Sequence, residues 1–149
     1  MLELGDQDPV FRFHFPRRPV LPASTLLECF AQTGTILLEA SHGFTRKALP
    51  GYVSDAKFYR MVRPGAEVRV ELTAEQWSAD AAVLRARAEQ DGVKCAAATL
   101  GMLTAPLSEF YGPEHLPAYR AMYERWLSQA TLEGFYPHPL ESLSHACAG

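Results

Sequence analysis

Between residues 52 and 104 polar and apolar side chains alternate with a period of two, and no other feature restricts the folding of this chain as much. Val68, Val70 and Leu72 fall on one side of a strand, with Glu67, Arg69 and Glu71 on the other. In the next run Leu84, Ala86 and Ala88 oppose Arg85, Arg87 and Glu89. A turn at Ser78 to Asp80 separates the two runs. Pro64-Gly65 marks an earlier turn, after a strand near Tyr52 to Met61, and Asp91-Gly92 is a hairpin signal before a strand from Val93 to Leu103. Four antiparallel strands are expected. The alternation leaves them one apolar face, which must be covered by another element.

The covering element lies upstream. Residues 23–41 read as a helix, with Pro22, Ser24 and Thr25 at its start and Gly43 after its end. Leu26, Leu27, Phe30, Ala31, Ile36, Leu37 and Leu38 lie nearly all round it, so burial on most faces is expected. Gly34 sits mid-helix, at a cost of about 1 kcal/mol relative to alanine; close approach to neighbouring backbone is its expected return. The inward residues of the later strands are read as small (Ala86, Ala88, Ala97, Gly101), which leaves room for a helix. The expected architecture is α+β, one long helix wrapped by a curved antiparallel sheet: the hot-dog fold. Residues 1–22 carry Pro9, Pro16, Pro19 and Pro22 and read as an ordered loop with a short strand at Val10 to Phe13. A second helix is expected over 113–130, with Leu116, Tyr119, Met122, Tyr123, Trp126 and Leu127 in one stripe, followed by a loose tail. The expected division is a domain over 1–107 and a helical extension over 108–149 packed on it.

A chain of 149 residues is the size of one domain. It can bury about two-thirds of its unfolded surface, so it needs neither metal nor disulfide to fold. No apolar run reaches the roughly 18 residues of a membrane span, because Glu28, Gln32 and Glu39 interrupt the segment from Leu26 to Ala40. No membrane role is expected, and the N-terminus lacks the basic start and apolar core of a signal peptide. The net charge of −3 argues against a general nucleic-acid binder. Charge is uneven: residues 1–63 hold eight Lys/Arg against six Asp/Glu, and residues 64–149 hold six against eleven. Cys29, Cys95 and Cys147 are far apart with no CxxC spacing, which fits reduced thiols of the cytoplasm. No His/Cys set has metal-ligand spacing, so no metal or resident cofactor is expected.

The chemistry concentrates in His14-Phe15-Pro16-Arg17-Arg18-Pro19-Val20-Leu21-Pro22-Ala23, continuing to Glu28, Ala31 and Gln32. A histidine sits in a rigid, proline-framed loop, and imidazole is the side chain suited to proton transfer near neutral pH. A helix begins just after that loop, so its free N–H groups can receive an anion. Glu28 lies inside a mostly apolar helix, and an ionised glutamate is rarely buried without a partner or a role. Base, oxyanion site and acid are all available. Gln32, one turn beyond Glu28 on the same face, is a substrate-binding candidate or a plain packing amide.

This stretch resembles the (3R)-hydroxyacyl-[acyl carrier protein] dehydratases of type II fatty-acid synthesis, whose signature is HFPGxPxxPG followed by E-x-x-A-Q. His14-Phe15-Pro16, Pro19, Pro22, Glu28 and Ala31-Gln32 stand at the family spacing. Asp55-Ala56-Lys57-Phe58 and Arg63-Pro64-Gly65 resemble the family's later strand and turn. The resemblance covers roughly residues 8 to 104. It implies that His14 is the base at Cα, that Glu28 is the acid assisting departure of the 3-hydroxyl, and that the Ala23 N–H polarises the thioester carbonyl. It also implies that two chains pair their sheets, each site taking its histidine from one chain and its carboxylate from the other. Arg17 and Ala23 stand where the family has glycine; alanine at 23 is strained if φ is positive there and costs nothing if that position is already helical. Relative to the family, the N-terminus is short and the C-terminal helix is an addition.

The substrate implied is a 3-hydroxyacyl group on the phosphopantetheine arm of an acyl carrier protein, in fatty-acid or polyketide and polyene synthesis. Arg17, Arg18, Lys57, Arg60 and Arg63 form either a solvated surface or a docking patch for that acidic carrier. A hot-dog thioesterase, or a partner subunit of a hetero-oligomeric dehydratase, are the competing readings; a homodimer and a heterodimer are both compatible with the residues.

Overall fold

The computed structural model describes residues 2, 3, 5, 8–65 and 67–127. A first helix, α1, spans Ala23–Ser41, the range expected from the sequence. The Thr25 N–H donates to the Pro22 carbonyl at 3.0 Å at its start, and Gly43, with φ 59, ends it by donating to the Ala40 carbonyl at 2.9 Å. Five strands follow the order β1-β3-β4-β5-β2, where β1 is Leu2–Glu3, β2 is Arg46–Phe58, β3 is Glu67–Trp77, β4 is Ala81–Gln90 and β5 is Val93–Pro106. β1, β3, β4 and β5 pair antiparallel in sequence. Asp91 and Gly92, with φ 51 and 75, make the tight hairpin between β4 and β5. A second helix, α2, spans Leu116–Leu127; the expected residues 128–130, and the tail beyond them, lie outside the described residues.

Three differences from the sequence reading concern the elements themselves. Residues 9–11 form a 3-10 turn and not a strand, because Pro9 opens it and the Asp8 carboxylate accepts from the Val10 N–H at 3.0 Å. β2 begins at Arg46 and not near Tyr52. Pro50 and Gly51 lie inside β2, an edge strand, where proline is tolerated. The two-residue strand β1 was too short to carry a period.

The chain forms two compact units, Met1–Gly34 with Leu49–Leu103, and Thr35–Ala48 with Thr104–Gly149. In the first unit the N-terminal half of α1 buries Leu26, Phe30 and Ala31. The floor beneath is alanine: Ala86 and Ala88 from β4, Ala96 and Ala98 from β5, all buried. Ala97 and Gly101 are not part of that floor. Ala97 pairs with Arg87 and Gly101 with Val83, so both share the opposite face. Cys95 to Ala98 is a run of small residues with no polar member to set its phase, and the ladder shifts by one residue between Ala88 and Glu89. Gly101 is required for another reason: an added Cβ would fall 1.9 Å from the Tyr52 ring. Gly34 does bring a close approach, but to side chains and not to backbone; its added Cβ would lie 2.9 Å from Leu84 Cδ1 and 3.3 Å from Leu72 Cδ2.

α1 is not apolar to solvent on all sides. Ser24, Glu28 and Gln32, spaced by four, form one exposed stripe along it. The glutamate that is fully buried is Glu39, in the second unit. Its carboxylate accepts from Tyr119 Oη at 2.5 Å, from Tyr123 Oη, from the Ala48 N–H at 3.0 Å and from Lys47 Nζ at 2.8 Å. Four donors use all of its acceptor sites. Burial, with the carboxylate beside them, pushes both phenols above the usual tyrosine range, so each remains a donor. The Phe44 ring lies tilted against Tyr123, 4.6 Å between centroids, and Leu107 completes this second core. Removing one donor at a time should be measurable. Tyr123→Phe is expected to cost about 1.5–3 kcal/mol, the range for a bond to a charged group. Glu39→Ala, which takes the acceptor from all four donors, is expected to cost about 3–5 kcal/mol. Urea unfolding checks both; wild-type midpoints in either variant would contradict the role given to Glu39.

Candidate active site

The histidine loop is held by its own backbone. Pro16, Pro19 and Pro22 have no N–H to satisfy, which reduces what the loop must pair. Phe15 and Arg18 bond to each other across a tight turn, N–H to carbonyl, at 3.3 and 3.0 Å. The Val20 N–H donates to the His14 carbonyl at 2.8 Å, and the Leu21 N–H donates to the Val62 carbonyl at 2.8 Å. The second bond ties the loop to the segment between β2 and β3. The His14–Phe15 peptide is cis, and the two rings stack at 4.2 Å.

Val20 also fixes the imidazole. His14 Nδ1 lies 3.2 Å from the Val20 carbonyl oxygen, which can only accept. The neutral ring therefore carries its proton on Nδ1, and Nε2 keeps a lone pair. A half-buried histidine so oriented can take a proton at Nε2 without reorganising. Nothing in the sequence singled out Val20 for this, since its contribution is a backbone carbonyl.

Pro22 delivers the chain into α1, and position 23 is helical with negative φ, so alanine is unstrained there. The Ala23 N–H has no hydrogen-bond partner among the described residues and is exposed at the positive end of α1. One turn further, Glu28 is exposed, contrary to the burial read from its apolar neighbours. Gln32 Nε2 donates to Glu28 Oε1 at 2.7 Å. Cys29 between them is held toward its thiol form: burial, with the Glu28 charge second, pushes it up. Within one chain, among the described residues, no hydrogen bond or ion pair joins His14 to Glu28.

The cations divide into two groups. On β3 and β4, Arg69 and Arg87 pair with Glu71, and Arg85 pairs with Glu75 at 2.6 Å. Arg17, Arg18, Lys57, Arg60 and Arg63 have no acidic partner among the described residues, and all are exposed. Arg12, 5.3 Å above the Phe13 ring, joins this second group and was not among the sequence candidates. The Leu21–Val62 bond brings the arginine turn of the histidine loop to the segment carrying Arg60 and Arg63. Exposed aromatic and apolar groups lie among them: Phe13, Phe15, Phe58, Tyr59 and Met61.

Comparison with known proteins gives the fold and the family. Among solved structures, a Thermus thermophilus protein of the thioesterase superfamily superposes with a TM-score of 0.60 at 18% identity, covering 85% of this chain and 90% of that one. A fluoroacetyl-CoA thioesterase superposes with a TM-score of 0.58 at 14% identity, covering 73% and 86%. At those identities the likeness is one of fold, and the fold is hot-dog. In sequence, the 3-hydroxyacyl-[acyl-carrier-protein] dehydratase FabZ of Latilactobacillus sakei is 42% identical over 94 residues, 62% of this chain and 67% of that protein. The same enzyme of Chloroflexus aggregans is 34% identical over 101 residues, 66% of this chain and 70% of that protein. The family model for the FabA-like domain matches residues 3–99, a segment that holds His14, Ala23, Glu28 and Gln32, and the chain belongs to that family.

Proposed function

We propose that this protein dehydrates 3-hydroxyacyl thioesters carried on an acyl carrier protein to trans-2-enoyl thioesters. The observation that carries the reading is the His14 imidazole, held by the Val20 carbonyl at Nδ1 with Nε2 open, inside the histidine loop of a FabA-like domain. Nε2 removes a proton from C2 of the acyl group. Negative charge moves to the thioester oxygen, where the Ala23 N–H at the helix start receives it; one such donor is worth about 3–4 kcal/mol. Glu28 gives its proton to the 3-hydroxyl, the C3–O bond breaks, and water leaves as the C2–C3 double bond forms. Proton exchange through solvent then returns His14 and Glu28 to their starting forms. The chain's own residues supply every group this reaction needs.

The site is built from two chains. Three features support this. Among the described residues no hydrogen bond or ion pair joins His14 to Glu28, the Ser24–Glu28–Gln32 stripe is exposed, and β2 is an edge strand exposed at nearly every residue from Leu49 to Phe58. Pairing across that edge brings two sheets together and gives each histidine a glutamate from the other chain. A homodimer is the simpler assembly, because both groups are present in the one sequence. No helix of the described residues is long and apolar enough to cross a membrane, and the reaction is assigned to the cytoplasm, where carrier-bound acyl chains are handled. Arg17, Arg18, Lys57, Arg60 and Arg63, without an acidic partner among the described residues, dock the acidic carrier, and the exposed aromatics among them supply apolar contact. The thioesterase reading is weaker, since it has no use for an imidazole fixed at Nδ1.

Mass spectrometry of a 3-hydroxyacyl-carrier protein after incubation is expected to show loss of one water. Release of free acid and unloaded carrier would instead favour thioester hydrolysis. His14→Ala is expected to fold normally and to lose at least about 10²-fold in turnover, as for a positioned base; turnover near wild type would remove His14 from the mechanism. For docking, Arg17→Glu with Arg18→Glu is expected to raise KM for the carrier-bound substrate by about tenfold, with kcat little changed and a weaker dependence on salt. An unchanged KM would leave the patch as solvated surface.

A further inference from the structure

The backbone at Asp55 carries an inference that rests on the two-chain site and goes beyond it. Among the described residues, Phe44, Asp55 and Asp91 have positive φ without being glycine, at 56, 51 and 51. The chain turns at two of them. Phe44 follows the end of α1, where its N–H donates to the Glu39 carbonyl at 2.8 Å, and Asp91 makes the β4–β5 hairpin with Gly92. Asp55 instead lies inside β2, between Arg46 and Phe58. Strand residues have negative φ, and the left-handed region is unfavourable for any residue with a Cβ, least so for asparagine and aspartate.

No contact within the chain accounts for this conformation. The Asp55 side chain is exposed, with no hydrogen-bond or ion-pair partner among the described residues. From Leu49 to Phe58 only Ser54 is half-buried; the others are exposed, Tyr52, Val53 and Phe58 among them. A left-handed residue in a strand interrupts the alternation of side chains and bends the strand, as a bulge does. On an edge strand such a bend fits a second strand at one register only. Register decides whether a shared site can form. A slip of two residues moves one strand along the other by about 6.8 Å, which carries the histidine of one chain away from the glutamate of the other.

We propose that Asp55 is the register residue of the subunit interface: its left-handed backbone fixes how β2 of one chain pairs with β2 of a second copy. The occupant is a second copy because this edge is continuous with the pairing that the divided site requires, and because that pairing covers the exposed Tyr52, Val53 and Phe58 on the same strand. The backbone conformation does the work, and aspartate serves because it adopts positive φ more readily than most residues.

The test compares Asp55→Gly, Asp55→Asn, Asp55→Ala and Asp55→Val in the full chain. Sedimentation over a dilution series gives the dimer dissociation constant, and a 3-hydroxyacyl-carrier protein gives kcat. The wild type is expected to be a dimer at micromolar concentration. Glycine and asparagine keep access to positive φ, so dissociation within about threefold of wild type and normal kcat are expected. A valine relaxes to an extended φ in the single chain and must be forced back to pair, so its dissociation constant is expected to rise by at least about tenfold. At concentrations where the valine variant is dimeric, kcat is expected to stay at least about tenfold below wild type, because a slipped register separates the two groups. Alanine is expected to fall between asparagine and valine, and it carries the comparison if the valine variant does not fold. Wild-type dissociation and kcat in the valine or alanine variant, or an equal loss in the glycine variant, would overturn the proposal and leave the two-chain site intact. A drop in thermal stability with dissociation unchanged would also overturn it, since the conformation would then serve the single chain. A monomeric wild type with full turnover would overturn the two-chain reading, and the role of Asp55 with it.

Discussion

The depth at which α1 lies on the sheet is set by residues with almost no side chain, and the site depends on that contact. Gly34 on the helix meets Leu72, Leu84 and Met102, and alanines at 86, 88, 96 and 98 form the floor. Larger residues on either side would lift the helix and move everything mounted on it. Three of those mounted groups belong to the proposed site: the Ala23 N–H at the start, and Glu28 with Gln32 along the exposed stripe. Their relative positions are fixed by helix geometry alone, at 1.5 Å per residue. The other half of the site, His14, is held by a different device, a loop in which Val20 bonds both the backbone and the ring of the histidine. One half is a regular element and the other a proline-framed turn, and within a single chain the two are not joined.

The second unit solves a separate problem by opposite means. Where α1 meets the sheet in the first unit the contact is dry and small; around Glu39 it is polar and saturated. A buried carboxylate with two phenols, an ammonium and a backbone N–H contributes little net stability over an apolar substitute. It does demand one arrangement of its partners, since any displacement of α2 takes both phenols from Oε2 of the buried carboxylate. The matched segment of the FabA-like domain ends at residue 99, before α2 begins. The polar core therefore serves a part of the chain outside the matched segment.

Much of the fold was legible because its signals are local. The ends of α1, the Ser78–Asp80 turn and the Asp91-Gly92 hairpin depend on residues within a few positions of one another. The strand phase at Leu84, Ala86 and Ala88 was legible because arginines alternate with them. It failed one strand later, at Ala97 and Gly101, where a run of small residues gives no phase and a bulge shifts the register. The start of β2 was hidden because Pro50 and Gly51 lie inside it, and only a strand at an edge tolerates such a pair. At the site, the motif residues were legible by type and spacing, but not what holds them. The rule that a buried glutamate needs partners was applied to Glu28, which is exposed, when Glu39 was the residue that obeyed it. Both lie in apolar surroundings in sequence, and only the packing of α2, eighty residues on, tells them apart.

The proposed division of the site between two chains has a consequence that one-chain sites lack, and a mixing experiment reads it directly. His14→Ala and Glu28→Gln, each inactive alone, are combined under conditions where subunit exchange is independently verified. In a mixed dimer one site carries both changes and the other carries neither. Partial recovery of dehydration, proportional to the mixed fraction, is the expected result. Absence of recovery despite proven exchange would show that each site is complete within one chain and would contradict the shared site.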